Sequence, residues 1–126
     1  MDTATLVSDQ VEDGARLIKA LELAGFEITA AFWVLPTDEG DWHLYIASPV
    51  VENQGLSEAF GQVLPHLLPG RFPSITHSDI RLIGSQNPMV ARAVQFRHQK
   101  VPLKFKGRTL GKMIIDEAYL YPREMA

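Results

Sequence analysis

The chain has 126 residues, no cysteine, a 46% hydrophobic composition and a formal net charge of -3. That length supports one domain with a real core, and the apolar share excludes a disordered tail. The missing thiols exclude a disulfide scaffold, a thiolate zinc site, an iron–sulfur cluster and a cysteine nucleophile. The small net charge hides a division: residues 1–60 carry 11 acidic and 2 basic side chains, and residues 61–126 carry 4 acidic and 10 basic, so the halves stand at -9 and +6.

Residues 1–7 read as a loose terminus, without the basic start and apolar run of a secretory signal. The longest apolar run is Ala30–Leu35, far below the roughly 20 residues that span a bilayer. A soluble, cytoplasmic protein is expected. Ser8 or Asp9 caps a first helix running to about Ala24, with Val11, Ala15, Leu17, Ile18 and Leu21 on its apolar face and Glu12 four residues before Arg16 for an ion pair. Gly25 is its stop. Phe26–Leu35 reads as a strand that is apolar on both faces, hence central. A turn cluster over Pro36–Asp41 joins it to a second strand, Trp42–Ser48, in an antiparallel hairpin ended by Pro49.

Leu56, Ala59, Phe60, Val63, Leu64, Leu67 and Leu68 follow helical spacing, and Pro65 kinks that helix or ends its first half. Asp79–Ile83 is a short strand. Asn87-Pro88 pairs a capping side chain with proline at the first helical position, opening a helix to about His98 with Met89, Val90, Ala93, Val94 and Phe96 inward. Val101–Phe105 reads as an edge strand, Lys106–Gly111 as a turn, and Met113–Tyr121 as the last strand. The order αββαβαββ predicts a single α+β domain, with a mixed or mostly antiparallel sheet of about five strands and about three helices packed on it.

Gly107-Arg108-Thr109-Leu110-Gly111-Lys112 imitates a phosphate-binding loop but is one residue short between its glycines. Met113 stands where a magnesium-binding hydroxyl is needed, and a strand follows where a helix should. A hairpin turn is the plainer reading. The four histidines, His43, His66, His77 and His98, include no pair three or four apart, so no metal-binding helix face is expected. His77 and Asp79 are two apart and could point the same way if extended, a spacing common by chance. No serine-nucleophile or dinucleotide motif occurs, so the sequence assigns no catalytic residue, no metal and no cofactor. Asp116 and Glu117 are adjacent in an apolar strand and point to opposite faces, so one of them should be partly buried beside a cation. A pocket built from His43, Tyr45, Glu117 and Tyr119 would supply an acid–base site if the first hairpin and last strand converge.

The strongest constellation is basic. From Ile80 to Ile115 there is no Asp or Glu, and the stretch holds Arg92, Arg97, Lys100, Lys104, Lys106, Arg108 and Lys112 with Phe96 and Phe105 between them. Three readings follow: cations solvated or paired inside the fold, a face for a protein partner or a second copy, and a phosphate-neutralising face for nucleic acid. The sequence pI near 5.7 argues against a dedicated nucleic-acid binder.

Leu23-Ala24-Gly25-Phe26, Phe32-Trp33-Val34-Leu35, Ala47-Ser48-Pro49, Asn87-Pro88-Met89-Val90 and Asp116-Glu117-Ala118-Tyr119-Leu120-Tyr121 together resemble a group of small bacterial single-domain proteins of unknown function. The resemblance covers roughly residues 8–122. It implies a bacterial cytoplasmic domain and no particular activity. The expected function is therefore a non-enzymatic interaction or accessory domain with oppositely charged faces. Nucleic-acid binding through the basic helix and hairpin is the first alternative, and a small-molecule enzyme is the second.

Overall fold

The computed structural model describes residues 8–36, 41–67, 71–97, 103–110 and 113–122. The elements in chain order are α1 (Ser8–Leu23), β1 (Ala30–Pro36), β2 (His43–Ser48), α2 (Pro49–Gln54), α3 (Leu56–Val63), a 3-10 turn (Leu64–Leu67), a second 3-10 turn (His77–Asp79), β3 (Ile80–Gly84), α4 (Pro88–Phe96), β4 (Leu103–Leu110) and β5 (Met113–Leu120). The class is α+β, as expected, with one mixed sheet in the order β3-β2-β1-β5-β4.

The apolar β1 occupies the middle of that sheet and is buried along its whole length. It pairs antiparallel with β2 on one side and with β5 on the other. Alternation then splits its side chains between two cores. Ala31, Trp33 and Leu35 join Leu17, Ile18 and Leu21 of α1 and Ala59 and Val63 of α3. Ala30, Phe32 and Val34 join Met89, Val90 and Ala93 of α4, with Tyr45 and Leu120. Phe32 and Tyr45 are register partners whose rings stack at 5.8 Å. Full burial of side chains the size of Trp33 and Phe32 stabilises by on the order of 2–3 kcal/mol each.

β2 and β3 run parallel, so the chain must cross from one end of the sheet to the other between them. α2 and α3 make that crossing. The expected reading of Pro49 as a strand terminator missed α2. The Ser48 side chain accepts from the Val50 N–H at 3.1 Å and Pro49 sits in the first turn, so the residues that end β2 also start a helix. The same signature at Asn87-Pro88 opens α4, with Asn87 Oδ1 accepting from Met89 N–H at 2.9 Å.

Other boundaries moved for identifiable reasons. α1 ends in a left-handed turn at Gly25 (φ 90°), with Phe26 N–H bonded to Leu21 O at 2.9 Å and Gly25 N–H to Glu22 O at 3.0 Å. This pairing folds Phe26 under the helix into the core of Leu21 and Trp33, so the strand starts at Ala30 and not at Phe26. α3 stops at Val63 and tightens into a 3-10 turn around Pro65, which has no N–H to continue the ladder. Its Leu56 and Leu64 stay exposed, at 52% and 45%, outside the buried arc of Ala59 and Val63. α4 lasts nine residues, and Val94, expected inward, lies on the flank of the Met89–Ala93 arc at 40% exposure. β4 runs from Leu103 to Leu110, paired with β5 through Leu110↔Met113. The expected turn over Lys106–Gly111 is therefore strand as far as Leu110, and positions 107–110 of the segment that imitates a phosphate loop belong to β4, its last two residues lying outside the described residues.

A relay of two hydrogen bonds through Tyr121 ties α1 to the sheet. Trp33 Nε1 donates to Tyr121 Oη at 2.9 Å, and Tyr121 Oη donates to the Val11 carbonyl at 2.7 Å. Gly14 lies against this hydroxyl, and any Cβ there would overlap Tyr121 Oη. Nearby, buried Asp13 accepts from Ser74 N–H at 2.9 Å and forms an ion pair with Arg16. The expected Glu12–Arg16 pair is replaced because the desolvated carboxylate of Asp13 has more to gain from a cation than exposed Glu12 does. Tyr121→Phe is expected to leave Trp33 N–H and the Val11 carbonyl without this partner. Urea unfolding should show a loss of about 1–3 kcal/mol; an unchanged midpoint would contradict the assignment.

Candidate functional site

The basic constellation divides when it is placed on the fold. Arg92 is exposed on α4, its guanidinium 5.2 Å from the ring centroid of Phe96. Arg97 follows α4, half-buried, and donates Nη1–H to the Thr29 carbonyl at 2.9 Å. Lys104 is exposed on β4, its Nζ 5.8 Å from the ring centroid of Tyr119, which is also its register partner. Lys106 and Arg108 follow at alternate positions of β4, opposite Glu117 and Ile115. Lys100 and Lys112 lie outside the described residues. α4 packs on the face of Ala118 and Leu120, whereas Tyr119 packs on the opposite face, toward α1. Arg92 and Lys104 thus flank the sheet from opposite sides and do not form one stripe.

The four residues considered as a pocket are also separated by strand parity. Tyr45 is buried in the core under α4, and His43 alternates with it on β2. Tyr119 belongs to the opposite face, and Glu117 shares its parity on β5. The structure does not bring the two pairs together. His43 instead lines a cleft of about 560 Å³ at the start of β2 and β3, with Gln10, Asp41, Ser78, Asp79 and Arg81. His43 Nε2 lies 3.4 Å from Arg81 Nη2, and Arg81 Nη1 donates to the Ser78 carbonyl at 3.3 Å. Asp79 Oδ2 accepts from the Thr76 N–H at 2.9 Å and from its hydroxyl at 3.2 Å, which fixes the 3-10 turn that carries His77. Among the described residues no three His, Asp or Glu side chains converge as a metal site requires. Sequence reasoning had no way to pair His43 with Arg81, because the parallel register of β2 and β3 creates that proximity.

A second cleft, of about 290 Å³, opens where β1 begins and β5 ends. Ile18 and Glu22 of α1, Ile28, Thr29, Arg97 and Tyr121 line it. Arg97, expected on the basic surface, is therefore a lining residue of this cleft. Glu22 was not singled out by the sequence, since it lies 75 positions from Arg97 and no spacing rule links them.

Two carboxylates are held ionised by their neighbours. For Asp13, burial pushes the pKa up, but the Ser74 N–H and the Arg16 guanidinium outweigh it and leave the group below its ordinary value. Glu52 of α2 accepts from Ser85 Oγ at 2.6 Å, Ser85 N–H at 2.8 Å and Gln86 N–H at 2.8 Å, and these bonds also lower its pKa. It clasps the loop from β3 to α4. Burial raises the phenols of Tyr119 and Tyr121 above the ordinary range, so both are neutral hydroxyls near pH 7. No helix among the described residues is long and apolar enough to cross a membrane. Comparison with known proteins adds no relative: no family model, curated protein or solved structure matches the chain.

Asp13 titrates lower when folded than when unfolded, so its stabilisation is complete above the unfolded value of about 3.9 and fades as pH falls through the folded value. Asp13→Asn should be less stable than the parent near neutrality, and the gap should shrink below about pH 4; a gap constant down to the acid limit would contradict this. Glu52→Ala should speed amide exchange at Ser85 and Gln86 while leaving Leu82 in β3 protected. Unchanged exchange at Ser85 would remove the clasp from the account.

Proposed function

We propose that this chain is a non-catalytic protein-interaction module whose basic edge strand docks an acidic protein surface, the nearest candidate being the start of α1 on a second copy. The observation that carries the reading is the edge position of β4, with exposed Lys104 and the cationic positions 106 and 108 alternating along it. Lysines on an edge strand deter uncontrolled strand pairing, and they also make the edge selective for a partner of opposite charge. The exposed carboxylates of Asp9 and Glu12 supply that charge within the same chain. Such a contact is head-to-tail, since the two surfaces differ. Separation of His43 and Tyr45 from Glu117 and Tyr119 supports the non-catalytic reading over the enzymatic one.

Light scattering on the eluting chain at low and high salt tests this. The expected result is a mass above the monomer at low salt that falls to the monomer as salt screens the contact. Lys104→Glu with Lys106→Glu should be monomeric, Asp9→Lys with Glu12→Lys should be monomeric, and mixing the two variants should restore association. A strict monomer at low salt overturns the self-docking reading. Anisotropy with single- and double-stranded DNA and RNA separates the alternative: salt-sensitive binding abolished by the Lys104 and Lys106 reversals would replace this proposal with nucleic-acid recognition.

A further inference from the structure

We infer that Lys104 and Tyr119 together receive a single carboxylate, the ammonium supplying charge and the phenol a hydrogen bond, and that this carboxylate is Asp9 or Glu12 of a second copy. The inference rests on the docking of the β4 edge proposed above and deepens it by naming the contact. The register of β4 on β5 decides which cation is available. Lys106 stands opposite Glu117, so opposite charge is already present in the ladder, and Arg108 stands opposite Ile115, which brings no donor. Lys104 stands opposite neutral Tyr119, with its ammonium 5.8 Å from the ring centroid. Among the described residues Lys104 forms no ion pair.

The two neighbouring tyrosines use their hydroxyls differently. Tyr121 Oη is engaged by Trp33 and Val11. Tyr119 meets the Tyr121 ring edge-on at 5.3 Å, yet among the described residues its own hydroxyl has no hydrogen-bond partner, and that oxygen is open to solvent. Burial raises this phenol above the ordinary range, so near pH 7 it is a neutral donor. Packing holds the ring and cation–π attraction holds the ammonium near it, so both donors are placed before a ligand arrives. A lone carboxylate suits this pair better than a phosphate backbone. Glu117 is the next residue on the same face, about 7 Å along the strand, and repels a continuous row of anions. The start of α1 has the complementary surplus. Arg16 is engaged by Asp13, and exposed Asp9 and Glu12 form no ion pair among the described residues.

The test is sedimentation equilibrium of the full chain at low salt, comparing the parent with Tyr119→Phe, Lys104→Met and Lys106→Met. Tyr119→Phe keeps the ring and removes only the hydroxyl, and it should weaken self-association about tenfold. Its urea midpoint should match the parent, because the hydroxyl bonds nothing inside the chain; a lowered midpoint would overturn that premise. Lys104→Met should weaken association more than Lys106→Met, whose position already faces Glu117. Unchanged association in Tyr119→Phe, with the double reversal of Lys104 and Lys106 still monomeric, overturns the carboxylate receptor and leaves the docking edge standing. A larger loss in Lys106→Met than in Lys104→Met does the same. A parent that is monomeric at low salt overturns both.

Discussion

The hydroxyl of Tyr121 is the point on which the layers depend. It receives a hydrogen bond from Trp33 in the central strand and gives one to the Val11 carbonyl of α1, within the core that α1 covers. A buried phenol with one donor and one acceptor role satisfied is stabilising, whereas the same groups left unpaired would each cost free energy. The contact also sets a distance. The helix backbone comes so near the oxygen that residue 14 has room for no side chain beyond hydrogen. Glycine in mid-helix is usually a penalty of about 1 kcal/mol against alanine, and here the close approach accounts for it.

From that anchor the positions of the charged groups follow. α1 is drawn onto one face of β1, which brings Asp13 under the loop at Ser74 and leaves Asp9 and Glu12 in solvent. The end of α1 brings Glu22 into the lining of the cleft that Arg97 also lines. Among the described cations, Arg92 lies on the side of the sheet that α4 covers and Lys104 on the side of Tyr119.

Much of the fold was legible from local pattern. The doubly apolar Ala30–Leu35 run announced a central strand, Asn87-Pro88 announced α4, and Pro65 marked where the helix from Leu56 would kink or break. Two boundaries failed where one residue served two elements. Ser48-Pro49 ends β2 and begins α2, and Phe26 continues an alternating pattern while belonging to the cap of α1. The site was far less legible. The predicted quartet of His43, Tyr45, Glu117 and Tyr119 assumed convergence that strand pairing denies. Glu22 and Arg97 line one cleft through layer packing, His43 lies near Arg81 through parallel register, and no sequence spacing encodes either proximity.

Tyr121 Oη fixes the approach of α1, and a double-mutant cycle in urea measures that coupling. Gly14→Ala in the parent should cost about 1–3 kcal/mol, because the new methyl meets the hydroxyl. In a Tyr121→Phe background the oxygen is gone, and the same substitution should lose at least about 1 kcal/mol of that cost. Equal costs in both backgrounds, additive within about 0.5 kcal/mol, would contradict the account.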